Sequence, residues 1–163
     1  MRLLTATAPG GEEARRAASV ALEAWTRGLD IRLRFLNIGI EETVLVLPDA
    51  SGPGEPAAAA LLASEEAIAR CRPAVLLLHG GGTAALAAAV SAAKAGVPVV
   101  RTGAGRRDGP TADEERAADR LAAVRLAAEE GLRSLRDEGL PAEPFTPEAA
   151  VRAVLRLQRE AGP

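Results

Sequence analysis

Residues 75–86, VLLLHGGGTAAL, set a histidine, three glycines and a threonine between an apolar run and an alanine-rich run. His79, Gly80, Gly81, Gly82 and Thr83 therefore fall where a strand would end and a helix begin. Such a turn presents unpaired backbone N–H groups at the positive end of a helix dipole, which is chemistry suited to an anion. Further along, Arg101, Arg106 and Arg107 follow a second apolar run. Parallel strands deliver their following loops to one edge of a sheet, so the two segments together form a candidate phosphate or carboxylate pocket. The alternative is that the glycines serve only a tight turn and the arginines are solvated.

Sharper chemistries fit less well. A phosphate-binding P-loop needs a Gly-Lys-Ser/Thr ending, and no lysine stands there. Gly80, Gly82 and Ala85 match the loose GxGxxA dinucleotide form, with Arg101 about where a 2′-phosphate partner would sit. The HGGG string also matches an esterase oxyanion turn, but none of the five serines lies in a GxSxG context and His79 is the only histidine. A lone histidine packs or makes one hydrogen bond more often than it catalyses. Glu114-Glu115 and Glu129-Glu130 are adjacent acids on helical stretches. Neighbours on a helix point in different directions, so both pairs are expected on solvated faces.

Composition narrows the partners. The net charge of -2 argues against nucleic acid. Cys71 is the only cysteine, which excludes an internal disulfide and a multi-cysteine metal site. Trp25, Phe35 and Phe145 are the only aromatics, too few for a stacking platform. No uninterrupted apolar run is long enough to span a membrane, and the amino terminus lacks the apolar centre of a signal peptide, so a soluble, cytoplasmic protein without membrane contact is expected.

The elements that must position these residues alternate between short Val/Ile/Leu runs and longer helical stretches, the pattern of strand-helix-strand units around a parallel sheet. Residues 2–7 read as a first strand, 9–11 as a turn, 12–27 as a helix ended by Gly28, and 30–36 as a strand near an edge. Residues 43–47 read as a buried strand and the Gly/Pro-rich 48–56 as an exposed loop. A helix follows and ends near Cys71, with Pro73 as a stop. Residues 74–78 form the most apolar and so the central strand; 82–95 form a helix capped by Gly96, and 97–100 return to the sheet. After the loop 101–110 comes a charged helix from Thr111, a short strand at 124–127 and another helix through Asp137. Thr146-Pro147-Glu148 starts a last helix, with Val151, Val154 and Leu155 as its apolar stripe. The expected fold class is α/β: a single three-layer Rossmann-like domain, residues 1–163, with a mostly parallel sheet.

From about Glu55 to Gly139 the chain resembles the amino-terminal half of the non-hydrolysing UDP-N-acetylglucosamine 2-epimerases, a two-domain, glycosyltransferase-B-like family. EEAIARCRP leads to AVLLLHG, which is similar to the family's strand ending in His-Gly-Asp-Thr-Thr. RTGAGRR stands in the place of His-Val-Glu-Ala-Gly-Leu-Arg and keeps Ala104, Gly105 and Arg107. Pro110 stands at the head of the family's Pro-Glu-Glu-x-Asn-Arg. The departures fall on the chemistry: Gly81 replaces the aspartate, Gly103 the glutamate, and Thr111-Ala112 the paired glutamates. The amino-terminal Gly-Thr-Arg-Pro-Glu has only Ala6-Thr7-Ala8-Pro9-Gly10 as its counterpart. Carbon-2 epimerisation requires proton transfer, which glycine, threonine and alanine side chains cannot perform.

The resemblance implies a degenerate, stand-alone epimerase-type domain that binds rather than transforms, a pseudoenzyme with no catalytic residue, no cofactor and no metal. Its candidate ligand-binding residues are His79, Gly80, Gly81, Gly82, Thr83, Arg101, Arg106 and Arg107, toward a small anion or a sugar nucleotide. One alternative is half of a split sugar-nucleotide enzyme, completed by a separate carboxyl-terminal-domain protein, since the family's second domain has no counterpart here. A second is a structural homo-oligomer or homodimer with no ligand.

Overall fold

A computed structural model describes residues 2–7, 41–47 and 55–161. The expected turn at 9–11, helix at 12–27 and strand at 30–36 lie outside the described residues, as does the 48–54 part of the expected loop.

Six parallel strands form one sheet: β1 (Arg2–Thr7), β2 (Glu41–Val46), β3 (Val75–His79), β4 (Val99–Thr102), β5 (Val124–Ala127) and β6 (Glu143–Pro144), in the order β2-β1-β3-β4-β5-β6. Among the described residues, five helices connect or flank them: α1 (Glu55–Cys71), α2 (Gly82–Lys94), α3 (Ala112–Leu121), α4 (Glu129–Asp137) and α5 (Pro147–Ala161). The architecture is the expected three-layer α/β arrangement. Alternation along the strands explains it. Leu76 and Leu78 pack on one face with Leu4, Ala6 and Val99 against α1 and α2, whereas Val75 and Leu77 pack on the other with Leu3, Val100 and Leu126 against α5. Every residue of β3 is buried, as a central strand covered on both faces requires.

The helices owe their placement to small side chains and to caps. On α2, Ala84, Ala85, Ala87, Ala88, Ala89 and Ala92 are all buried, which lets its backbone lie close to both the sheet and α1. Ser91 turns inward too, its hydroxyl donating to the Ala87 carbonyl at 3.0 Å. On α5 the Thr146 hydroxyl accepts the Ala149 N–H at 3.0 Å, and Pro147 occupies the first turn, where its missing N–H costs nothing.

Four boundaries differ from the sequence reading. The first helix begins at Glu55 rather than after Pro56, because a proline is tolerated in a first turn. The second strand starts two residues earlier than expected, at Glu41, and ends at Val46. The central strand runs one residue further, taking in His79. The next strand covers Val99–Thr102 instead of 97–100, which moves Arg101 from a loop into the sheet. The two-residue β6 was not expected at all. Its register, Leu126 opposite Glu143 and Ala127 opposite Pro144, leaves room for little pairing.

Register fixes what meets at the carboxyl edge. Thr7 lies opposite His79, and His79 opposite Thr102. The turn after β3 and the loop after β4 therefore leave the sheet side by side.

Candidate functional site

His79 closes β3 and is 1% exposed. Its Nδ1 lies 2.6 Å from the hydroxyl oxygen of Thr102, a hydrogen bond whose direction follows the imidazole tautomer. Burial lowers its pKa from 6.5 to about 4, so the ring is neutral at pH 7. After it the chain turns through Gly80, whose φ of 98° is a left-handed conformation that glycine adopts freely.

The amino end of α2 already holds an anion. Gly82 N–H donates to Glu115 Oε1 at 3.0 Å, and a Cβ placed on Gly81 would fall on that same oxygen. Glu115, 2% exposed, thus projects from α3 into the space a side chain at position 81 would take. The Gly82 amide is thus taken by the protein's own carboxylate. One expectation is corrected here: Glu115 is not on a solvated face, because the first turn of α3 packs against α2.

Arg101 is also corrected. It is fully buried, and it donates to Asp119 Oδ1, to Glu115 Oε2, to the Glu115 carbonyl at 2.9 Å and to the Gly80 carbonyl at 3.4 Å. A buried guanidinium is tolerable only when paired, and Arg101 is paired with two acids one helical turn apart on α3. It braces the turn after β3 rather than reaching toward solvent.

The network continues outward. Asp119 Oδ2 accepts the Gly105 N–H at 3.0 Å and Arg107 Nη1 at 2.9 Å. Arg107 then grips Glu138 with two bonds, Nε to Oε1 at 2.6 Å and Nη2 to Oε2 at 3.0 Å. Burial works against the Arg107 charge, but the hydrogen bonds to Glu138 and Asp119 outweigh it and hold the guanidinium above its ordinary pKa. Glu138 is correspondingly held below the usual carboxylate range by its bonds from Arg107.

An open groove of about 440 Å³ lies beside this network. Residues 103–108 make one wall; Ala128, Glu130, Gly131 and Ser134, at the start of α4, make the other. Ala128 caps α4 without any side-chain hydrogen bond, so the first-turn N–H groups of that helix are not claimed by a cap. Arg106 and Arg107 both line the groove. The structure thus separates the candidate residues into two groups. Gly81, Gly82 and Arg101 meet the Glu115 carboxylate, Gly80 accepts from Arg101, His79 pairs with Thr102, and Thr83 is half-buried on the first turn of α2, whereas Arg106 and Arg107 belong to the groove.

Sequence reasoning missed Glu115, Asp119 and Glu138. One signal for Glu115 was present. Counting from Pro110, it stands at the arginine of Pro-Glu-Glu-x-Asn-Arg, while Gly81 stands at the aspartate of His-Gly-Asp. In the structure the Glu115 carboxylate stands where a side chain at position 81 would be. Among the described residues, no group of three or more His, Cys, Asp or Glu side chains could hold a metal ion. No helix among them is long and apolar enough to cross a membrane.

The fold has well-defined counterparts. The UDP-GlcNAc 2-epimerase from Neisseria meningitidis, solved with UDP-GlcNAc bound, matches 98% of this chain over 50% of its own length, with a TM-score of 0.70 and 18% identity. The UDP-GlcNAc 2-epimerase from Methanocaldococcus jannaschii matches 96% of this chain over 49% of its own length, with a TM-score of 0.65 and 18% identity. MurG from Acinetobacter baumannii matches 90% over 46%, with a TM-score of 0.57 and 14% identity. The chain spans about half the length of each of these structures, and at such identities the likeness is one of fold. It agrees with the resemblance to one half of the 2-epimerases. No protein-family model matches the chain, and no curated protein matches it in sequence.

Proposed function

We propose that the chain binds a phosphate-bearing ligand, with a sugar nucleotide as the leading candidate, in the groove between residues 103–108 and the amino end of α4, and that it does not epimerise a sugar by itself. The observation that carries this reading is the contrast between two helix starts on one sheet edge: the amide of α2 is taken by Glu115, whereas α4 begins uncapped beside Arg106 and Arg107. An uncapped helix start favours negative charge, and Arg106 stands beside it, whereas Arg107 is already paired with Asp119 and Glu138 and the acids Asp108 and Glu130 share the lining. Structures of similar fold have been solved with UDP-GlcNAc, and with UDP-GlcNAc and UDP. Inactivity is supported by Gly81 and Gly103, which offer no proton-transfer group, and by the commitment of Glu115, Asp119 and Glu138 to arginine partners.

Calorimetric titration with UDP, UDP-N-acetylglucosamine and inorganic phosphate tests the groove. Binding that weakens in Arg106→Ala supports it; heat from none of the three, or binding unchanged by Arg106→Ala, rejects it. Incubation with UDP-N-acetylglucosamine should leave the carbon-2 configuration unchanged. A second reading, that the chain supplies half of a two-domain site, is favoured by its match to only half of each similar structure. It predicts that binding tightens when a second domain of the same fold class is added.

A further inference from the structure

We propose that Glu115 is a tethered ligand: its carboxylate occupies an anion site built by the Gly82 N–H and the Arg101 guanidinium, and thereby closes the amino end of α2 to dissolved anions. Three observations meet at this point. The Gly82 amide, at the positive end of a helix of 13 residues, is directed at Glu115 Oε1 at 3.0 Å. Arg101 is fully buried and pairs with the other oxygen, Oε2. Gly81 has no side chain, and the carboxylate stands where its Cβ would be.

An amide at the positive end of a helix dipole and a buried guanidinium converging on one carboxylate form the same constellation that recognises a bound carboxylate or phosphate. Here the ligand arrives on α3 instead of from solution. Because the ligand is covalently attached, its effective concentration is high and no dissolved anion competes with it at ordinary concentrations. Glu115 therefore occupies the place a dissolved anion would take at the start of α2. This inference is independent of what the α4 groove binds, and its test uses neither UDP nor phosphate.

The test is rescue by a small carboxylate. Glu115→Ala removes the tethered ligand, leaving the Gly82 amide without its acceptor and Arg101 with Asp119 as its one carboxylate partner. Its melting temperature in chloride should lie below that of the wild type. Acetate at matched ionic strength should then raise it saturably, by about 3–6 °C at roughly ten times the acetate Kd, while leaving the wild type unmoved. An equal response of both proteins, or a folded variant indifferent to acetate, overturns the proposal. A second measurement needs no substitution. In wild-type protein the Gly82 amide should exchange its hydrogen about tenfold or more slowly than the Glu130 amide in the uncapped first turn of α4. Equal or faster exchange at Gly82 overturns the proposal, even where Glu115→Ala does not fold.

Discussion

Gly105 and Gly131 meet backbone to backbone: a Cβ on Gly105 would fall on the Gly131 carbonyl, and a Cβ on Gly131 would fall on the Ala104 carbonyl. This contact seats the loop after β4 on the start of α4 and so forms the floor of the groove. Gly131→Ala is expected to cost about 1–3 kcal/mol, the usual price of overpacking. Gly105→Ala should cost more, because its φ of 83° adds a left-handed strain to the collision. Gly139→Ala is the comparison for Gly105→Ala, since its φ of 71° carries the same left-handed strain and nothing lies within 4 Å of its added carbon. Urea midpoints of the three variants check the order, and a Gly131→Ala protein as stable as the wild type would contradict the contact.

The buried triad of Arg101, Glu115 and Asp119 makes a second prediction. Arg101→Leu leaves two acids in the interior without their cation and should lose about 3–5 kcal/mol. Arg70 pairs with exposed Glu66 at 3.9 Å, one turn away on α1, and Arg70→Ala should lose no more than about 0.5 kcal/mol. Chemical denaturation of both variants measures the difference. Similar losses would mean that Arg101 is no more important to the fold than a surface pair.

Histidine burial predicts a pH dependence with a definite sign. The pKa of His79 falls from 6.5 to about 4 on folding. Between those values the unfolded chain binds a proton that the folded chain does not, so acidification through that window favours unfolding. Above pH 6.5 both states are neutral there and the stability is complete. The loss should approach roughly 3 kcal/mol at pH 4. Glu138, held low by Arg107, contributes in the same sense at lower pH: its stabilisation is present above the ordinary carboxylate pKa and fades as the pH falls through its own lowered value. Denaturation midpoints between pH 4 and 7 should decline toward acid in the wild type and flatten in His79→Asn. An unchanged slope in that variant would assign the dependence elsewhere.

How much of this was legible in the sequence depended on the range of the interaction. The strands Arg2–Thr7 and Val124–Ala127, the stop at Cys71 and the Thr146 cap follow from apolar runs and cap residues within a few positions. Apolarity weakens at a strand's last residues, so β3 and β4 were read as ending one and two residues short, and Arg101 appeared to be a loop cation. Its partners come from α3, with Glu115 separated from Gly82 by 33 residues. Local pattern holds no record of which buried charges will meet at that distance. β6 was missed because two residues, one of them proline, carry no period.

The same short β6 has a bearing on how the protein behaves at high concentration. A sheet's last strand exposes a row of backbone groups that another molecule can pair with, and a long flat one invites fibril growth. This border consists of an acid and an imino acid with no amide hydrogen to offer, and Glu143 carries Arg156 across it at 3.3 Å. A neighbouring molecule finds no ladder to extend there, so on this side the sheet is guarded against edge-to-edge aggregation.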